Sequence, residues 1–448
     1  MFTALVVTDI AGISQRRDPL PPLMRSFRFA LCLSMCLGIT ACDELTRVTN
    51  TTVVQPTDLA NPAGAIQLRN QAVATFAGAY AAQAFYSGLI ADEFTDPTGS
   101  NPADRRVVDP TKQSSGSTYP YDQVSQAHLQ ALDAIAELRQ YDPTLTTRVG
   151  ELYALLGYDE VFLAEDMCSG VPFGVIQNGT YAQGPVLARG AMLSAALAHF
   201  DTAKASAAGN DSLSYLIAVG RARVLLDSND AAAAASQAQG IPSGFAYAFE
   251  YSLALPPINA LAVDIGTSGL GSVADLEGQN GLNFISAHDP RVATDTVETS
   301  IGIAVTGLVN LTSTSAPMTL ASGVEAQLIV AEAKLRVGDV GWALILNGLR
   351  QAAITPAMDT LPTDSTTGAS PAMQVDVFFR ERAFWLFATG HRQGDLRRLV
   401  RQYQRGVETV FPTGLYRGGP QTYGTDVTYV PFGEQYNTGY HGCINRSP

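Results

Sequence analysis

Two acidic clusters, Asp92-Glu93-Asp96 and Glu160-Glu165-Asp166, are the residues here best suited to acid–base chemistry. Cleavage of a glycosidic bond needs two carboxylates facing each other about 5–10 Å apart across the bond. Acidic residues at helix ends more often cap the helix or meet water, so catalysis requires folding to turn two of these toward one cleft. The five histidines (128, 199, 288, 391 and 441) fall in no spacing that assembles a metal site. No nucleophile elbow or phosphate-binding loop is present. Gly266-Thr267-Ser268-Gly269-Leu270-Gly271 is glycine-rich, but it carries no Lys and follows no clear strand. Neither a metal nor a cofactor is expected.

Arg380, Arg382, Arg392, Arg397, Arg398, Arg401 and Arg405 form the one basic concentration, interleaved with Phe378, Phe379, Phe384, Trp385 and Phe387. Cations alternating with aromatic rings can hold single-stranded nucleic acid. Helical spacing argues otherwise, because it turns the rings toward a core and leaves Glu381 and Asp395 to pair with the arginines. The net charge of −13, with no basic stripe, would also repel a phosphate backbone. With 46 % hydrophobic and 15 % charged residues, the chain can bury a large core, which excludes wholesale disorder.

The elements that must position these residues begin after a leader. Arg25 and Arg28 precede an apolar run, Phe29 to Leu37, followed by the small residues Gly38, Thr40 and Ala41 and then Cys42. This is the pattern of a secretory signal peptide. As a helix the run reaches only about 20 Å, short of the ~30 Å hydrocarbon layer. Ile39-Thr40-Ala41-Cys42 resembles the bacterial lipobox, whose Cys is acylated. Residues 1–41 are therefore expected to leave as signal peptide, with Met24 the true start, and 42–64 to form a leash held to a membrane through Cys42. The alternative is an ordinary signal peptide with Cys42 merely near the cut. Cys32 and Cys36 leave with the signal, so Cys168 and Cys443 remain. An exported chain meets an oxidising compartment, and an even pair suits one disulfide; two unpaired thiols are the other possibility.

From Ala65 onward the apolar spacing predicts helices at 65–90, 123–139, 147–166, 191–206, 212–226, 229–239, 323–337, 340–353 and 371–389, with 395–404 continuing helically. Ser322 with Glu325 forms a capping box. Residues 93–121 read as a long polar loop, and 241–319 as strands or irregular structure. A tail rich in Gly, Pro and Tyr follows 405. Successive helices joined by short turns suggest stacked hairpins within one domain, 65–448.

Several pieces, in order, resemble the SusD/RagB outer-membrane nutrient-uptake lipoproteins. They are the lipobox at Cys42, Gly88-Leu89-Ile90-Ala91-Asp92-Glu93-Phe94, Gly157-Tyr158 leading to Cys168-Ser169-Gly170-Val171-Pro172, and His288-Asp289-Pro290-Arg291-Val292. The helix Glu325 to Ala333 follows, then Arg380-Glu381-Arg382-Ala383-Phe384-Trp385 with Gly390-His391-Arg392 and Asp395-Leu396-Arg397-Arg398. The resemblance implies a mostly α fold with four tetratricopeptide-like hairpins: 65–90 with 123–139, 147–166 with 191–206, 212–226 with 229–239, and 323–337 with 340–353. It further implies a lipid-anchored outer-membrane protein, at the cell surface, without catalysis. Such a protein caps a SusC-like TonB-dependent barrel and passes it an oligosaccharide or peptide. The family's glycan-contacting aromatics sit in variable loops and match no residue here. Tyr119 and Tyr121 in the long loop, and Tyr416, Tyr423, Tyr429 and Tyr436 in the tail, are the candidates by residue type. Two alternatives remain: a surface glycosidase using one of the acidic clusters, and a helical scaffold that binds only protein.

Overall fold

Asn61 starts the first helix. Its side-chain oxygen accepts the Gly64 N–H at 3.0 Å, and Pro62 occupies the first turn, where no N–H is needed. In the computed structural model the described residues are 59–99, 101, 104, 106–107, 120–177, 180–252, 257–300, 302–311, 313–416 and 420–448. They belong to the unit Thr57–Pro448. The expected leader, the leash up to residue 58 with Cys42, and Tyr119 lie outside them; the leash's expected end, 62–64, is instead the first turn of a helix.

Twelve α-helices occur among the described residues. They are α1 (Pro62–Ile90), α2 (Pro120–Tyr141), α3 (Thr146–Asp166), α4 (Arg189–Lys204), α5 (Asp211–Asp227), α6 (Ala231–Ala238) and α7 (Ala260–Gly266). After them come α8 (Gly323–Arg336), α9 (Gly341–Ala352), α10 (Pro371–Trp385), α11 (Arg392–Tyr403) and α12 (Val407–Val410). None is long and apolar enough to cross a membrane. The pairs α1/α2, α3/α4, α5/α6 and α8/α9 pack as hairpins, and α2 meets α3, α4 meets α5, and α6 meets α8. The fold is thus mostly α, with the four hairpins in the expected pairing. Small residues allow the close approach: a Cβ on Gly157 of α3 would lie 2.8 Å from the Phe200 ring of α4, and Gly220 of α5 faces the same ring.

Because α6 packs directly on α8, the 241–319 segment leaves the stack and returns to it. Strands β4 (Ala246–Phe249) and β8 (Met318–Ser322) close it antiparallel, with Ala246 opposite Ser322. Inside it, β5 (Ser272–Val273) pairs with β1 (Phe94–Thr95), and β6 (Thr294–Glu298) pairs with β7 (Ala304–Leu308). Several elements depart from the sequence reading: α7 is a helix within 241–319, and α2 starts at Pro120, so Tyr121 is helical and not in the loop 93–121. The break after Cys168 continues as a hairpin, β2 (Val171–Gln177) with β3 (Thr180–Leu187), in which Pro172 is tolerated at a bulge. Helix α10 stops at Trp385 instead of near 389, since Ala388 and Gly390 take φ of 61° and 77°.

The arginines do pair inside the fold. Arg382 meets Asp395 at 2.7 Å, and Arg398 reaches Asp395 at 2.6 Å and Glu332 of α8 at 2.5 Å. Arg223 of α5 grips Glu325 of α8 with two bonds of 2.9 Å. Arg397 donates to the carbonyls of Ala164 and Met167 at 3.0 and 3.2 Å, and also to that of Glu165, satisfying the C-terminal end of α3.

Cys168 and Cys443 are joined, their Cα atoms 5.8 Å apart and 275 residues apart in sequence. The tail lies along the same place: Cys168 N–H donates to Tyr429 O at 2.8 Å, and Ile444 N–H to Ser169 O at 2.8 Å. Closing so long a loop contributes about 5 kcal/mol on the chain-entropy model.

Two outcomes follow. The mature protein, weighed without reductant, is lighter by two hydrogens than its reduced form; equal masses would dissolve the bridge. Glu325→Leu strands the buried Arg223 guanidinium and lowers stability by about 3–5 kcal/mol in urea unfolding.

Candidate functional site

Helix ends place all six carboxylates of the two acidic clusters inside the protein, at 0–4 % exposure. Asp92 takes two bonds from Arg392, at 2.5 and 2.9 Å, and accepts the Leu282 N–H. Burial pushes the neighbouring Glu93 carboxyl well above the usual carboxylate range. Asp96 is spent on its own turn, accepting the N–H and hydroxyl of Thr98 and the N–H of Asn101. Glu160 is bonded to His199 Nδ1 at 2.9 Å. Burial raises Glu165, and it pushes Asp166 up to about 7 even though Gln83 donates to Asp166 at 2.8 Å. No carboxylate of either cluster stands at an open cleft, so neither supplies the acid–base pair that glycoside hydrolysis demands.

The tyrosines divide sharply. Tyr121 is buried, its hydroxyl donating to Pro172 O at 3.0 Å and lying 2.8 Å from Glu434 Oε1. Tyr416 is buried against Asp96 O and Asp104, Tyr423 against Glu277, and Tyr429 against Tyr86 O. These hydroxyls hold the tail to the body, and their rings are not offered to a ligand. Tyr436 alone among the tail candidates is open, at 86 % exposure. Tyr181 on β3, absent from the sequence candidates, is 60 % exposed.

A cavity of about 340 Å³ opens where the returning strand β8, the start of α8 and the α10–α11 turn meet. Phe384, Trp385, Phe387, Leu308 and Met318 supply its apolar lining, and Arg291 and His391 its polar edge. The Arg291 guanidinium lies 5.0 Å from the Trp385 ring centroid and 5.3 Å from that of Phe384. It is fixed there by Asp289 at 2.6 Å and Glu381 at 2.7 Å. The Trp385 indole N–H finds no hydrogen-bond partner among the described residues. His391 is buried and held below its ordinary value by burial first, then by Arg223, which favours the uncharged ring. Burial alone would raise Glu325, yet Arg223 and His391 hold it well below the usual range. The wall of the cavity is thus a preorganised set of rings and one saturated cation, with the unpartnered Trp385 indole N–H buried behind it. No group of three His, Cys, Asp or Glu among the described residues could hold a metal.

No family model matches the chain, and no curated protein matches it. Solved structures do. The B. fragilis protein NanU aligns at 12 % identity and TM-score 0.60, covering 90 % of this chain and 100 % of its own. A putative sugar binding protein from Bacteroides vulgatus aligns at 14 % identity and TM-score 0.60, over 86 % and 99 %. A SusD superfamily protein from Bacteroides fragilis gives 11 %, TM-score 0.59, and 81 % and 93 %. This chain has the SusD-like fold.

In this SusD-like fold the cavity sits at the border between the helical stack and the 241–319 insertion. Helical spacing turns Trp385 toward the core, yet in the fold it is only half-buried. The signal for its role lies just past it: a left-handed Ala388 and Gly390 end α10 early and leave its last residue at a rim. Helical periodicity alone does not carry that information.

The buried acids give a pH test. Asp166 is 3.8 in the open chain and about 7 when folded, so the native state holds its proton more tightly. Stability from this group is fully present below about pH 4 and is lost as pH rises through 7. Asp166→Asn, with the Gln83 amide turned over, is therefore more stable than wild type at pH 8, by up to about 4 kcal/mol, and the difference closes near pH 4. Denaturation curves at both pH values check it.

Proposed function

We propose that this chain is a lipid-anchored, non-catalytic binding protein that hands a glycan to a TonB-dependent outer-membrane barrel for uptake. The observation that carries the reading is the SusD-like fold, shared over 82–86 % of this chain and 94–99 % of the others with proteins described as carbohydrate or sugar binding. A glycan is preferred to a peptide because aromatic side chains line the cavity, and ring faces suit the C–H faces of a sugar. Cys42 is the anchor, as the leader pattern supports, and the outer membrane is its destination. The helical side faces the barrel. Val337, Val340 and Leu344 at the α8–α9 hairpin are 79, 56 and 71 % exposed, an apolar face suited to a protein partner. The buried state of both acidic clusters speaks against the glycosidase alternative, and the ligand-sized cavity against a purely protein-binding scaffold.

Pull-down of the tagged full chain from gently solubilised membranes recovers a large barrel in near-equal amount. Recovery of the lipoprotein alone removes the transport role. In a thermal-shift screen of oligosaccharides, at least one raises the melting temperature of wild type, and Trp385→Ala abolishes that shift without unfolding the protein. Release of reducing sugar by the purified chain would restore the hydrolase reading.

A further inference from the structure

Five guanidiniums crowd the flanks of α10 and α11: Arg291, Arg350, Arg380, Arg392 and Arg405. Four have carboxylates. Arg291 has Asp289 and Glu381, Arg350 has Glu381 at 2.8 Å, Arg392 has Asp92 at 2.5 Å, and Arg405 has Asp376 at 2.7 Å. Arg380 forms no ion pair among the described residues. Its Nη1 donates to the amide oxygen of Asn283 at 2.8 Å, and its guanidinium carbon lies 4.6 Å from the Phe384 ring centroid. Glu381 and Asp289 act on it only through space, and both are bonded to Arg291.

That charge faces a recess. A hollow of about 350 Å³, distinct in its lining from the Trp385 cavity, is bounded by Arg380, Arg392 and Arg405, with Leu396 and Val410 as apolar walls and Thr409 at its edge. Asp376 also lines it, but that carboxylate is engaged by Arg405. Arg380 is partly buried, and burial lowers its affinity for a proton although Glu381 and Asp289 act the other way. Leaving a cation half-desolvated beside open volume is unfavourable unless an anion completes it.

We propose that this recess binds the carboxylate of a small acidic ligand, with Arg380 as the pairing cation. The planar guanidinium matches a carboxylate with two parallel N–H donors, which a neutral hydroxyl cannot exploit. A uronic sugar and a free peptide C-terminus both carry that group. The recess stands on its own observation and holds whether or not the chain docks a barrel.

The test is calorimetric titration of the full chain in mild detergent at low ionic strength, with D-glucuronate, N-acetylalanine and D-glucose as probes. Glucuronate or N-acetylalanine binds about tenfold or more tightly than glucose, and whichever does so names the source of the carboxylate. Arg380→Gln, which keeps a donor for Asn283, erases that advantage, and Arg380→Lys keeps part of it. Thr409→Trp, at an exposed edge position, fills the recess and erases it too, so it carries the test if the Gln variant does not fold. Equal binding of the acids and glucose overturns the proposal. So does an acid advantage that survives in both Arg380→Gln and Thr409→Trp.

Discussion

Asp395 accepts from Arg382 and Arg398 in the interior, and Arg398 reaches on to Glu332 of a different helix. The same helix, α11, sends Arg392 to Asp92 at the exit of α1 and Arg397 to the last carbonyls of α3. Buried pairs of this kind add little net stability over apolar contacts of the same shape, yet breaking one is costly. Their value is in register. Each guanidinium finds its partner only when two helices distant in sequence stand at one offset, so α1, α3, α8, α10 and α11 lock together in a single arrangement.

That arrangement also makes the hollows. Arg291 is drawn onto Phe384 and Trp385 because Asp289 and Glu381 hold its other side, and Glu381 in turn holds Arg350. Ser87 and Gln83 of α1 donate to Gly390 O, fixing the turn that ends α10 early. Both the Trp385 cavity and the arginine recess border α10, one on each flank, with Phe384 shared between the Arg291 and Arg380 guanidiniums. A frame rigid enough to keep such hollows open needs no ligand to shape them.

Much of the frame was legible in the sequence, because helical periodicity is a local signal. The helices and the inward-turned arginines rest on spacing, whereas the pairing of the helices into four hairpins rests on the family resemblance. The Ser322 cap is instructive. Its hydroxyl does accept the Glu325 N–H at 3.1 Å, but the Glu325 carboxylate turns away to Arg223 and His391. The local rule located the helix start, and tertiary charge decided the side chain. The β2–β3 hairpin was missed since Gly170, Pro172 and Gly174 look like a break, whereas a bulge absorbs them. Tyr121, Tyr416, Tyr423 and Tyr429 were chosen for ring type alone. Their hydroxyl partners lie 51 to 343 residues away, beyond the reach of any local pattern.

The bridge between Cys168 and Cys443 has a consequence in time. At ordinary rates of synthesis the 275 residues between them take roughly 15–55 s to appear. Throughout that interval Cys168 waits, and the backbone beside it waits as well, since its N–H is claimed by Tyr429 from the same late segment. The first two hairpins can assemble early, but their outer edge stays raw until the tail arrives. A chain still being synthesised therefore passes through a period in which a thiol and a bare backbone edge both lack their partners.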